Sequence, residues 1–137
     1  MSNEDLAKQK YLETQLILQQ VKQTNQHLEI LQNQLVATIS LVEHLDDLAK
    51  IPKNTKIYTA LGPGVFVEAE LKNTDRVLLT IGAQTAVYKT VEETKKALTK
   101  QTTDIHELMS KISADLQKLT TKSETLQQEL RDLIGND

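Results

Sequence analysis

The hydrophobic positions of this chain repeat every seven residues in its first and last thirds and every second residue between them. From about Asn3 to Lys50 no proline or glycine interrupts a run of good helix formers. The pattern predicts one long helix that is capped by Ser2 with Asp5. It ends at Ile51–Pro52, because a residue before proline is pushed out of the α region.

A heptad stripe along this first helix predicts a coiled coil, with Thr24 and Thr38 as its weak points. We call the apolar heptad positions of both helices the seam. In the first helix the seam consists of Ile17, Val21, Leu28, Leu31, Leu35, Val42 and Leu45.

Near the N-terminus the apolar residues no longer keep to one stripe. At about 100° per residue, Tyr11 and Leu18 fall far from the seam, and Leu12 and Leu16 lie on its flank. From periodicity alone, these side chains either pack on another chain or stay exposed, as single apolar residues often do.

A second helix of similar length is predicted from the capping threonine Thr90, three residues before Glu93, to about Ile134, with Gly135 as its stop. Its heptad repeat is cleaner, with Thr102 and Ser123 as interruptions. The seam of this helix consists of Leu98, Ile105, Met109, Ile112, Leu116, Leu119, Leu126, Leu130 and Leu133.

Two helices of equal length can fold back as an antiparallel hairpin that buries both seams, or they can pair between molecules. In a hairpin, the sequence numbers of two residues that face each other across the helices should add up to about 140. Each buried leucine contributes on the order of 1.5 to 3 kcal/mol, so the middle of the hairpin should hold. The open end, near Leu12 and Leu126, should fray.

From Asn54 to Thr90 the apolar residues recur at every second position instead, and this pattern predicts four short strands. The first two flank a turn at Gly62–Pro63–Gly64. A polar loop from Lys72 to Asp75 leads to the third, and a turn at Gly82–Thr85 leads to a last strand around Val87.

Such strands have little within this chain to cover their apolar face, and their edges are open. Proteins usually cover such apolar faces and open edges by pairing with other subunits. The alternative is a self-contained cap over the helix bases. We expect oligomerisation through Ile57, Val65, Phe66, Val67, Ala69, Leu71, Val77, Leu79, Ile81 and Val87.

Composition narrows the function further. A net charge of −3 with mixed signs provides no basic field for nucleic acid or anionic lipid. No cysteine is present, and no run approaches 18 apolar residues. We therefore expect a soluble, intracellular protein that binds neither nucleic acid nor membranes.

No catalytic or metal-binding pattern emerges. His27, His44 and His106 lie far apart in sequence, without carboxylates at metal-ligand spacing. The glycines around Pro63 lack the lysine and following helix of a phosphate loop. The acidic pairs Asp46–Asp47 and Glu92–Glu93 fit surface charge better than acid–base catalysis. We expect no enzyme, metal or cofactor.

The run GPGVFVEAELKNTDRVLLTIGAQTAVYKTVEE, from Gly62 to Glu93, resembles the central segment of α-class prefoldin subunits of the archaeal type. In that family a glycine turn leads to a phenylalanine-valine-x-alanine strand, a polar loop, a valine-rich strand and a second glycine turn. The chain departs from the family at Ala60–Leu61, where proline often occurs, and at Ala83–Gln84–Thr85, where the turn is usually richer in glycine.

The resemblance implies an α+β fold: a coiled-coil hairpin of residues 1–51 and 90–137, with strands in 52–89 that join an inter-subunit β-barrel. It implies a cytoplasmic hexamer with β-class prefoldin subunits, two α and four β. It also implies ATP-independent holding of unfolded clients and their delivery to a group II chaperonin. The family's client-binding coil tips map to Tyr11, Leu12, Leu16, Leu18, Leu126, Leu130 and Leu133.

The sequence is also compatible with two other functions. A structural, filament-forming subunit would use the same strands for open-ended assembly. A coiled-coil adaptor would bind one defined partner helix.

Overall fold

A computed structural model describes residues 2–135 as two long helices with four strands between them. The predicted order of helix, four strands and helix is confirmed. In chain order the elements are α1 (Asn3–Ala49), β1 (Thr55–Gly62), β2 (Val65–Leu71), β3 (Arg76–Gly82), β4 (Thr85–Thr90) and α2 (Val91–Gly135).

Both predicted helix caps are present. The amide of Asp5 donates to Ser2 Oγ at 3.2 Å, and the amide of Glu93 donates to Thr90 Oγ1 at 3.0 Å. Each bond satisfies one of the amides that the first helical turn leaves without an intrahelical acceptor. After α1, the amide of Ile51 donates to the Leu48 carbonyl at 3.1 Å, a tight last turn before the proline.

The contacts within the chain define two units, which are described separately: residues 1–35 with 104–137, and residues 36–103. In the first unit, Leu31 and Leu35 of α1 form a buried cluster with Ile105 of α2, and Met109 and Ile112 pack against it. The ion pair between Lys10 Nζ and Glu129 Oε2, at 2.5 Å, joins the two helices elsewhere in the same unit.

In the second unit, Leu45 of α1 and Val91 of α2 are buried, and Lys95 forms a salt bridge with Asp46 across the two helices. The residue numbers in this pair sum to 141, and those of the Lys10–Glu129 pair sum to 139. The antiparallel register predicted from the heptads is therefore confirmed, and the helices pair within one chain.

Several polar residues are buried among the seam positions. Thr14 and Ser123 are both 4% exposed, and Thr38 is 8% exposed. The hydroxyl of Thr14 donates to the carbonyl of Lys10 at 2.7 Å, and that of Thr102 donates to Leu98 at 3.0 Å. The preceding turn therefore satisfies the hydroxyl of Thr14, which is buried, and that of Thr102, which is half-buried.

The four strands form two separate antiparallel pairs, β1 with β2 and β3 with β4, and do not join into one sheet. In the first pair Ile57 lies opposite Ala69; in the second Leu79 lies opposite Val87. Each pair has a register shift beside its turn, at Leu61 and at Ile81. Every strand therefore has one edge without a hydrogen-bonded neighbour among residues 2–135.

The two turns differ in the residues that take a left-handed backbone conformation. Between β1 and β2, Gly64 has a φ of 76°. Between β3 and β4, Ala83 and Gln84 have φ of 45° and 62° after Gly82 at 116°. A left-handed backbone costs a residue with a Cβ about 1 to 2 kcal/mol, so the second turn carries strain that glycine would avoid.

Candidate functional site

The helix ends of the first unit form an apolar groove. One side comes from the start of α1 and the other from the end of α2. We define the end groove, with a volume of about 470 Å³, by its lining residues Glu4, Ala7, Lys8, Tyr11, Leu12, Leu130 and Ile134.

The structure brings together three of the predicted tip residues, Tyr11, Leu12 and Leu130, in the end groove. Ile134 joins them although the sequence analysis placed it in neither the seam nor the tip set. It lies four residues after Leu130, on the same helical face, and is 62% exposed. That spacing was the signal that could have identified it.

The remaining tip residues have different surroundings. Leu16 and Leu18 are exposed and lie with Leu12 on a shallow depression of α1 that Gln15, Gln19 and Lys22 complete. Leu133 is half-buried.

Leu126 is only 6% exposed, which corrects its place in the tip set. The heptad pattern also predicts that Leu126 belongs to the seam, and its burial agrees with that assignment. A side chain this buried cannot offer its surface to a client while the helices stay paired.

The predicted assembly residues lie on both faces of the two strand pairs. In β1 and β2, one face carries Ile57, Val67 and Ala69, and the other carries Phe66. Six predicted residues are half-buried within the single chain: Ile57, Ala69, Leu71, Val77, Leu79 and Val87. Four are exposed: Val65, Phe66, Val67 and Ile81.

The sequence analysis missed four exposed apolar residues of the strands: Tyr58, Leu61, Leu78 and Tyr88. Leu78 lies directly opposite Tyr88, and the guanidinium of Arg76 is 5.0 Å from the centre of the Tyr88 ring. Period-two alternation assigns one face to the core, which left out Tyr58, Leu78 and Tyr88 on the other face, whereas Leu61 lies at the register shift beside its turn. Both faces of each pair are in fact partly apolar.

One charged group at the helix bases is electrostatically perturbed. The hydrogen bond from the Lys95 ammonium to the Asp46 carboxylate holds the pKa of Lys95 above its ordinary value of 10.5. The attraction of Asp46 and Glu92 acts in the same direction, and partial desolvation opposes it. The shift belongs to an interhelical contact and indicates no proton-transfer chemistry.

Residues 2–135 contain no cluster of three or more histidine, aspartate or glutamate side chains that could hold a metal ion. His27, His44 and His106 are all exposed. Neither helix in this part of the chain combines the length and apolar character that a membrane crossing needs. The surfaces that remain as functional candidates are the end groove and the exposed strands.

Comparison with known proteins gives one family. Residues 15–135 match the family model described as "Prefoldin subunit". The chain is 30% identical over 95 residues to prefoldin subunit alpha of Methanobrevibacter smithii, covering 69% of this chain and 64% of that relative. It is 26% identical over 133 residues to prefoldin subunit alpha of Archaeoglobus fulgidus, covering 95% of each chain.

The match to the Methanobrevibacter protein thus spans just under two thirds of that relative's length. Among solved structures, the fold is similar to the cryo-EM structure of filamentous PFD from Methanocaldococcus jannaschii. The TM-score is 0.74 at 16% identity, with 84% of this chain and 95% of that chain covered.

Proposed function

The chain belongs to the family of prefoldin subunits, and from this premise we propose that it is an α-class subunit of an oligomeric, ATP-independent chaperone. Members of the family are non-enzymatic chaperone subunits. In this proposal the helices, residues 1–51 and 90–137, hold unfolded clients, and residues 52–89 assemble the oligomer.

The observation that carries the client-binding role is the end groove. Tyr11 and Leu12 meet Leu130 and Ile134 there, and Leu12 and Ile134 are each more than 60% exposed. Burial of apolar surface is non-directional, so the groove suits many unrelated unfolded segments. Several such helix ends in one complex would bind one client with higher avidity than any single end.

The assembly role rests on the strands. Among the described residues, each strand has one edge without a hydrogen-bonded neighbour. The side chains of Phe66, Leu78 and Tyr88 are exposed in the single chain. Open edges and exposed apolar faces favour pairing with other subunits. The proposed partners are β-class prefoldin subunits, in a hexamer of two α and four β subunits whose strands close a shared barrel.

The proposed cellular role is to hold unfolded proteins in the cytoplasm and pass them to a group II chaperonin. Apolar contacts along exposed grooves exchange readily, so a chaperonin that offers competing sites could take the client without a nucleotide-driven step.

A filament-forming subunit is the second candidate, because the protein of similar fold from Methanocaldococcus jannaschii is filamentous. If strand pairing between subunits does not close into a ring, successive subunits add to one another in an open-ended filament. Electron microscopy of the purified protein separates the candidates, since a hexameric chaperone gives discrete particles and a filament subunit gives rods.

The client-binding proposal is tested by deleting residues 1–18, which removes the α1 side of the end groove. We expect the deletion to preserve assembly, measured by light scattering, and to abolish suppression of aggregation of chemically denatured citrate synthase. Full suppression by the truncated complex would refute the assignment of the helix ends.

Point variants supply the matched control. Serine at Tyr11, Leu12 and Leu16 should weaken suppression, whereas serine at Val36, Ile39 and Leu41 should not. The second set also consists of exposed apolar residues of α1, but none of them lines the end groove.

A further inference from the structure

The outer surface of α1 that continues from the end groove is unusual in its lack of charge. From Gln15 to Leu35 this helix carries two charged residues, Lys22 and Glu29. The stretch of α2 that faces it in the antiparallel register, residues 105–125, carries six. The two helices of the first unit therefore present chemically different surfaces to solvent.

Six uncharged residues line up along this side of α1. At about 100° per residue they fall within about 40° of one line, well over 90° around the helix from the buried seam residues Ile17 and Leu35. All six are exposed. We define the outer row as Leu12, Leu16, Gln19, Gln23, Gln26 and Ile30.

The glutamines of the outer row have unused hydrogen-bonding capacity. Within the described chain, no hydrogen bond involves the side chain of Gln19, Gln23 or Gln26. Each amide offers two N–H donors and a carbonyl acceptor to whatever approaches the helix. Leucine side chains at one end of the row and Ile30 at the other provide apolar contacts on either side of these amides.

A partner helix fits this row poorly. A coiled-coil partner needs apolar residues at successive heptad positions, and between Leu16 and Ile30 the row offers only glutamine. A helix also satisfies its own backbone amides, so it would bury the glutamines without offering them backbone partners. A folded, charged surface gains no ion pair here either.

An unfolded chain fits the row better, because its backbone N–H and C=O groups have no protein partners. We propose that the outer row binds extended, uncharged segments of non-native polypeptide, with the glutamine amides hydrogen-bonding the client backbone. From Leu16 to Ile30 the row is about 21 Å long, which matches about six extended residues. The row thereby distinguishes unfolded from folded protein by free backbone groups as well as by hydrophobicity.

This inference rests on the proposed client-holding function and deepens it, and its test separates glutamine amides from apolar surface. Methionine has nearly the size and helix propensity of glutamine but is apolar. The double variant Gln19→Met/Gln23→Met therefore increases the apolar surface of the row and removes amides. If hydrophobicity alone governed binding, this variant would hold clients at least as well as the parent protein.

The probe is a fluorescent ten-residue peptide of alternating valine and threonine, compared with the same peptide N-methylated at alternate residues, which lacks those backbone donors. With the assembled full-length protein, we expect about fivefold tighter binding of the unmethylated peptide by fluorescence anisotropy. The preference should fall to below about twofold in Gln19→Met/Gln23→Met, which keeps only Gln26 of the three amides. The matched control Gln32→Met/Gln117→Met changes two exposed glutamines outside the row and should keep the full preference.

Four results would overturn the inference. The first is an equal preference in the parent protein and in Gln19→Met/Gln23→Met. The second is a change in the oligomeric mass of that variant without client, since the row would then contact another subunit. The third is no peptide binding by the parent protein. The fourth is equal suppression of client aggregation by the parent protein and the variant, which refutes only the role of the amides. If the parent protein itself fails to suppress aggregation, the proposed client holding is refuted as well.

Discussion

Lys95 of α2 donates a hydrogen bond to the carboxylate of Asp46 of α1, and this contact joins the two helices close to the strands. Because the contact favours the protonated lysine, the pKa of Lys95 in the folded protein lies above its ordinary value of 10.5. Its stabilising effect is fully present below that ordinary pKa and is lost as the pH rises through the raised one.

Lys95→Met should lower the thermal unfolding temperature at pH 7, and the difference from the parent protein should shrink above pH 10.5 and in high salt. Circular dichroism melts of both proteins at pH 7 and at alkaline pH measure it. A difference that persists unchanged under alkaline conditions would show that lost packing of the lysine stem, rather than its charge, is responsible.

Leu12 and Leu126 should respond in opposite ways to truncation. Leu126 is buried, so Leu126→Ala should destabilise the helical pairing by about 2 to 4 kcal/mol in urea unfolding. Leu12 is 63% exposed, so Leu12→Ala should change stability by less than about 0.5 kcal/mol. In the aggregation assay, Leu12→Ala should nevertheless weaken client holding. Equal destabilisation by both variants would contradict the burial difference.

The turn between β3 and β4 should accept glycine with a gain in stability. Gln84 has a φ of 62°, so Gln84→Gly should relieve strain and raise the free energy of unfolding by about 1 kcal/mol. Gly64 has a φ of 76°, so the control Gly64→Ala should lower it by a similar amount. Denaturant titration of the assembled protein measures both changes. A loss of stability in Gln84→Gly would argue against the left-handed conformation of this turn.

The strand surfaces should determine assembly. Val67→Glu with Leu79→Glu places a charge on each strand pair, which should reduce the oligomeric mass in light scattering by opposing burial of these faces. The control Val36→Glu alters an exposed apolar residue of α1 and should leave the mass unchanged. If the strand variant keeps the parent mass, another surface holds the subunits together.

Most of the fold could be predicted because each element has a local signal. Ser2 and Thr90 cap their helices through hydroxyls that the sequence displays, and the heptads around Leu31 and Ile105 give the register. The strands follow from period-two alternation and glycine turns. The separation into two strand pairs had no such signal, because hydrogen bonding between hairpins depends on their placement in space.

The site was less predictable, because it too depends on how the elements are placed in space. Leu126 fits both the heptad repeat and the tip region, and only its burial decides between them. Tyr58 and Tyr88 occupy the face that alternation assigns to solvent, yet they are large apolar surfaces. Ile134 completes a groove whose other side lies more than a hundred residues away in sequence.

We expect clients to bind at the helix ends while the strands hold the subunits together. Leu12 and Leu78 are matched probes for it, since their side chains are 63% and 60% exposed. A photo-crosslinking amino acid placed at either position, in the complex loaded with denatured citrate synthase, identifies the neighbour by mass spectrometry. We expect client crosslinks from position 12 and subunit crosslinks from position 78. Client crosslinks from position 78, with none from position 12, would show that clients do not bind at the helix ends.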